Sequence, residues 1–398
     1  MPFNRSMPLF AIFLVTSVLV GLVLPANAEI VALVEPHNGI TYYDTDNMPK
    51  QAAMASSSLT AHGITFNITY ADNGTNLGFD DPSEGTARKA ALEGALTYIA
   101  DVINATGTLD VEVRTSLDNN GISTLASAGT FYTTSNGFFD GATFIRINSG
   151  TKPFPGTPEI SMQVNWGYSF NVSNDPPGAG IFDLLSLLVH ELTHGLGFTS
   201  LIKSDGTSEF QIDHGTATFT SLDILLFRRT TPTYLLAGNP PSLQGNVADL
   251  IGGDIAFDGS TATSNYGSAP PIYAPNPYSG GSSMSHWDTG TIVGNPIMKH
   301  SIPPGVSRRT YAPVDVGALI DMGYTNASTA GVPSPTLTAI SGEGEGEGEG
   351  EKPKDPVACG VASSMESTLW GDGMMFVGVL LLLIHLSRRN NQAQRASA

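Results

Sequence analysis

One cysteine in 398 residues, Cys359, leaves this chain unable to form an intramolecular disulfide, and the part before it without a thiolate zinc site or a cysteine switch. Basic side chains are also few. Lysine and arginine number 18 against 36 acidic residues, a net charge of −18, with no basic cluster before the last residues. That excludes a nucleic-acid partner, because neutralising phosphates takes clustered cations. An acidic surface of this kind chiefly favours solubility. No internal repeat is visible apart from one Gly-Glu run near the end.

The two ends differ from the middle. Arg5, a mainly apolar run over residues 9 to 24 and Ala26-Asn27-Ala28 have the charged, apolar and small-residue regions of a secretory signal peptide, giving an expected cleavage after Ala28. Sixteen mainly apolar residues stopped by Pro25 are short for a span of roughly 20. From 331 to 358 the chain reads as a linker, Pro- and Ser-bearing at first and then alternating Gly and Glu over residues 342 to 351, a composition that repels itself and buries nothing. Residues 359 to 398 hold an apolar stretch, 373 to 386, followed by Arg388-Arg389, the order of a membrane segment with a positive stop. This tail resembles bacterial C-terminal sorting tails in architecture, and at a length of about 21 Å it suits removal during sorting better than a permanent anchor. The expected location is therefore the cell surface or membrane, with the working domain outside the cytoplasm or released.

Residues 29 to 330 form the expected folded domain. Residues 64 to 70 alternate in period two as a strand does, 84 to 104 carry apolar residues at helical spacing, and 109 to 114 read as a second strand. Residues 144 to 147 suggest a third. Alternation from Met162 to Val172 predicts a half-buried strand at a sheet edge, and residues 181 to 196 a buried helix ended by Gly195 and Gly197.

That last helix carries His190-Glu191-Leu192-Thr193-His194. Residues four apart share a helical face, so both imidazoles can reach one zinc ion, while Glu191 lies about 100° round and can touch the metal's water. Zinc brings that water's pKa towards neutrality, and the neighbouring carboxylate can take its proton and pass it on, which makes peptide hydrolysis feasible. A pair of surface histidines is the bland reading. The apolar character of the helix opposes it, because unpaired buried polar groups are costly.

A third protein ligand must come from elsewhere. The donors after the helix are Glu209, His214, His286 and His300. Glu209 sits in a polar stretch with no helical pattern, His214 in an Asp-His-Gly turn, and His300 close behind Met298.

The stretch from His190 to Phe198 resembles the extended metzincin motif H-E-x-x-H-x-x-G-x-x-H as far as Gly197; the compact motif's third histidine is replaced by Ser200. Leishmanolysin-like metzincins share this departure, with a long insertion before the last histidine. Here Ser285-His286-Trp287, followed by Asn295-Pro296-Ile297-Met298, looks like their third ligand and methionine turn, and residues 314 to 324 resemble the closing helix of secreted bacterial members. The resemblance implies an α+β zincin catalytic domain with a mixed sheet over the active-site helix and a loop-rich lower half. It implies Zn2+ held by His190, His194 and His286, Glu191 as the general base, and a protein or peptide substrate, which could add as a strand to the 162 to 172 edge. A catalytically inactive surface adhesion or binding protein on the same scaffold is the alternative, though a binding module needs no general base.

Several other features have ordinary readings. The aspartates between Asp72 and Asp81 lack EF-hand spacing and read as an exposed turn rather than a calcium site. The N-x-Ser/Thr patterns at Asn67, Asn73, Asn104, Asn171 and Asn326 are expected to stay unmodified in an exported bacterial protein. Asp183 could support a ligand, cap the helix or simply be exposed at the surface.

Overall fold

The computed structural model describes residues 30–35, 39–44, 56–116, 124–133, 137–212 and 216–337. The expected signal peptide, the Gly-Glu run and the C-terminal tail lie outside these residues. Among the described residues no helix is long and apolar enough to cross a membrane.

The first eight strands, with two α-helices among them, are β1 (Ile30–Glu35), β2 (Gly39–Asp44), β3 (Ser56–Ala61), β4 (Ile64–Tyr70), β5 (Gly107–Ser116), β6 (Ala126–Thr133), β7 (Gly137–Phe139) and β8 (Ile160–Asn165). All but β7 join one mixed sheet in the order β2-β1-β6-β8-β5-β4-β3. β4, β5 and β8 run parallel, and β6 lies antiparallel to β8. Parallel neighbours need a crossover, which α1 (Gly85–Ile103) supplies between β4 and β5. Its buried stripe is rich in alanine, and Gly94 lets the chain near Thr336 approach so closely that a Cβ would lie 2.1 Å from that carbonyl oxygen. Residues 331 to 337, at the start of the segment read as a linker, thus lie against the domain. Asn104, left-handed at φ 50°, ends α1 by donating its N–H to the Ala100 carbonyl.

Two expectations are corrected. Residues 144 to 147 belong to a helix, α2 (Ala142–Ser149), not a strand. Gly141 and Gly150 bound it, and Asn148 and Ser149 bond back to the carbonyls of Phe144 and Ile145, a turn-by-turn pattern unavailable in a strand. The 162 to 172 alternation does not form an edge strand. β8 stops at Asn165 and is flanked by β6 and β5, and the apolar residues beyond it turn away, with Trp166 and Phe170 meeting edge to face. The alternation extends past the strand because an aromatic cluster at the turn also demands apolar residues.

β9 (Phe170–Asn171) and β10 (Phe182–Asp183) make a short parallel pair that leads into α3 (Leu184–Gly195), which packs on α1, β6 and β8. All twelve residues of α3 are buried. After it, the chain builds a region of short strands and turns around Phe210, Phe219, Phe257 and Trp287, with α4 (Ser260–Tyr266) as its one α-helix among the described residues. α5 (Pro313–Asp321) closes the domain against α4, where Gly317 permits contact that a Cβ, 2.6 Å from Ala262 Cα, would forbid. The architecture is α+β, with a mixed sheet and five α-helices among the described residues.

Candidate metal centre

Three structural devices converge on one point. The first is the start of α3. Asp183 caps it by accepting the Ser186 N–H at 3.1 Å, and Arg309 holds that carboxylate at 2.6 and 2.9 Å. Asp183 therefore acts as cap and ion-pair partner, and it is not among the residues gathered at the histidines.

The second device is the end of α3. Phe198 donates its N–H to Thr193 O at 3.3 Å and Gly197 donates to His194 O at 2.9 Å, a Schellman closure that needs the left-handed φ of 101° at Gly197. The reversal carries the Phe198 carbonyl to 2.7 Å from His194 Nδ1. Helix termination and ligand orientation are thus one event.

The third device returns His286 to the site. The N–H of Ser200 donates to Ser285 Oγ at 3.0 Å, across a sequence separation of 85, so the two ends of the loop-rich region meet. His286 follows directly after the serine that makes this contact. Trp287 donates its N–H to Met298 O at 2.8 Å, laying the methionine segment alongside the histidine segment. Met284, left-handed at φ 67° without being glycine, marks backbone strain two residues before His286.

The carboxylate of Asp315, on α5, organises that return. It accepts from Trp287 Nε1 at 2.8 Å and from the backbone N–H groups of Ile297 at 2.9 Å, Ala312 at 2.8 Å and Met298 at 3.4 Å. Burial outweighs these four donors and pushes its pKa up to about 6. Sequence reasoning saw the helix and missed this residue. An aspartate inside an otherwise apolar helical stripe was the available signal.

His190, His194 and His286 are all buried, with ligand atoms within 4.8 Å of one another. Their Nδ1 atoms lie 2.8, 2.7 and 2.8 Å from the carbonyl oxygens of Ile297, Phe198 and Ser282 respectively. A carbonyl oxygen only accepts, so each Nδ1 carries the proton, and in a neutral ring each Nε2 presents a lone pair. His286 Nε2 lies 3.1 Å from His194 Nε2 and 3.3 Å from His190 Nε2. Three lone pairs at such distances repel unless a cation sits between them. Tetrahedral binding at 2.0–2.1 Å per nitrogen sets neighbouring ligands about 3.3 Å apart. The three imidazoles therefore fit a metal ion, and carbonyl oxygens orient each ring as metal-bound histidines require.

The other donors stand apart. His300 stacks on Tyr273 with ring centroids 3.7 Å apart, and its Nδ1 lies 2.8 Å from Thr289 Oγ1. Glu209 is on the exposed side of its segment, and neither joins the metal-competent group. His214 lies outside the described residues. Asp80 and Asp81 accept N–H groups within their own turn, as an ordinary turn would have them do.

Beside the histidines opens a cavity of about 490 Å³. His190 and Glu191 line it together with Thr124, Leu125 and Ala126 at the start of β6, Tyr168, Phe182 and Leu187 from the neighbourhood of α3, and residues 299 to 302 behind the methionine segment. Comparison with protein-family models, curated proteins and solved structures finds no match to this chain.

Proposed function

We propose that this chain is an exported zinc-dependent endopeptidase of the metzincin type, leishmanolysin-like in the displacement of its third histidine. The observation that carries the reading is the convergence of three Nε2 lone pairs beside a glutamate that lines an open cavity. Zinc suits an all-imidazole set, and when bound it would supply an acidified water and a Lewis acid for the scissile carbonyl. Glu191 follows His190 on α3 and faces the cavity, where its carboxylate can hold the proton lost by the attacking water and hand it to the leaving amine. The buried rings, fixed through Nδ1, would hold the ion at a constant position relative to the Glu191 carboxylate.

The substrate in this reading is an extended peptide. A strand can add to a sheet edge, and the stretch that meets the cavity is Thr124 to Ala126, where Ala126 pairs with Val164 of β8 and, among the described residues, no strand lies on its other side. This replaces the 162 to 172 segment, whose β8 portion already has a neighbour on each side. Further along β6, Val31 to Val34 pair with Thr130 to Thr133 and take the edge. Export and surface retention rest on the composition of residues 1–28 and 359–398.

Glu191→Gln tests the mechanism, since the amide keeps the shape and cannot accept a proton. The variant is expected to bind one zinc per chain and to lose peptide cleavage by several orders of magnitude. Retention of most activity, in a preparation free of other proteases, overturns the proposal. Zinc-loaded wild type that cleaves nothing in a broad peptide library would point instead to a binding protein.

A further inference from the structure

Among the residues lining the cavity beside His190, Glu191 is the single acidic residue and Lys299 the single lysine or arginine. Lys299 is held in place by its backbone, which bridges in parallel to Trp287, the neighbour of His286. Its Nζ donates to the carbonyl of Gly294 at 3.0 Å. Lys299 is absent from the ion pairs among the described residues, although acidic residues outnumber basic ones two to one in this chain, 36 to 18. Next to it, the His300 ring is pinned flat on Tyr273 and tied to Thr289, so this part of the wall is preorganised. Burial, and then the nearby Arg308, lower the pKa of Lys299 while the Asp315 carboxylate acts the other way, and an incoming carboxylate would act in the same sense as Asp315.

We infer that Lys299, with His300 beside it, forms a subsite for an acidic side chain, so that the preferred substrates are peptides with Asp or Glu close to the scissile bond. This rests on the hydrolase reading, and it adds a substrate class to it. A partly exposed charge pair changes binding by a factor of up to about five and weakens with salt.

The experiment uses matched peptides with Glu, Gln or Lys at each position flanking the cleaved bond, tested on the zinc-loaded wild type, Lys299→Met and Lys299→Glu. At one flanking position the wild type is expected to favour Glu over Gln by roughly three- to fivefold in kcat/KM, mainly through KM, with the ratio shrinking in 0.5 M NaCl. Lys299→Met should erase the preference, and Lys299→Glu should transfer it to the Lys peptide. Zinc stoichiometry and circular dichroism check that both variants are folded. Equal ratios in wild type and Lys299→Met, or a wild type indifferent to charge at every position, overturn the subsite. The same peptides binding to Glu191→Gln, alone and combined with Lys299→Met or Lys299→Glu, followed by fluorescence anisotropy, give an arm without turnover. Should wild type prove unable to hydrolyse peptides, the hydrolase reading fails alone if that arm still shows the charge preference and its reversal, and both fail if it does not.

Discussion

Asp223 carries a carboxyl that burial pushes up to about 6, against hydrogen bonds from Ser200, Thr220 and Leu201 that act in the other direction. Its Oδ2 takes the N–H groups of Leu201 at 3.0 Å and Thr220 at 2.9 Å, fastening the insertion to the loop just after α3. A folded-state pKa above the unfolded one means that the fold prefers the protonated acid. The resulting stability is fully present below the ordinary value of 3.8 and is lost as pH rises through about 6. Asp223→Asn keeps an oxygen for both N–H groups and removes the ionisation. The variant should therefore match wild type in urea unfolding near pH 4 and gain on it between pH 4 and 7. Using the difference between the two proteins cancels the opposite pH dependence of histidine protonation and metal release. A difference that stays flat over this range would mean that Asp223 is not held in the environment described.

At the scale of elements, α3 depends on its first residue as well as its histidines. The Asp183 side chain is fully buried and that of Arg309 is 13% exposed, so this ion pair is sheltered from solvent. Removing one partner strands the other and also deletes the helix cap. Asp183→Ala is expected to lower unfolding free energy by about 3 kcal/mol. Chemical denaturation at fixed pH reads this directly, and a loss below about 1 kcal/mol would reduce Asp183 to a cap alone. Elements with strong periodicity were legible in advance. β4 and α1 fall within a residue of their expected limits, β5 spans the expected 109 to 114, and the helix bearing His190 begins later than expected because Phe182 and Asp183 are extended. β6 was not legible. Its sequence, Ala-Ser-Ala-Gly-Thr-Phe-Tyr-Thr, is buried along its whole length, so small residues on both faces replace the alternation that marks a half-buried strand. Residues 144 to 147 misled for a related reason, since four residues cannot separate a period of two from 3.6.

On the scale of the whole molecule, the candidate site joins two regions that the sequence keeps far apart. His190 and His194 could be paired from spacing alone, because a helix fixes their relation. His286 could be chosen only by resemblance, since its place depends on the Ser200–Ser285 contact and on the Asp315 carboxylate, neither of which leaves a local pattern. A metal ion bound there would link α3 to the region built from the insertion, and a ligand that binds only the folded state raises stability by RT ln(1 + [L]/Kd), about 4 kcal/mol at a thousandfold excess over Kd. In a domain of this size that corresponds to a melting shift on the order of 10 °C between zinc-loaded and chelator-treated protein. His286→Ala should melt near the chelated value and respond little to chelator. His300→Ala and Glu209→Ala should keep one zinc per chain and the full shift, because neither side chain joins the three imidazoles. If His286→Ala still holds one tight zinc while either of the other two loses it, the third ligand is misassigned and the leishmanolysin-like reading goes with it.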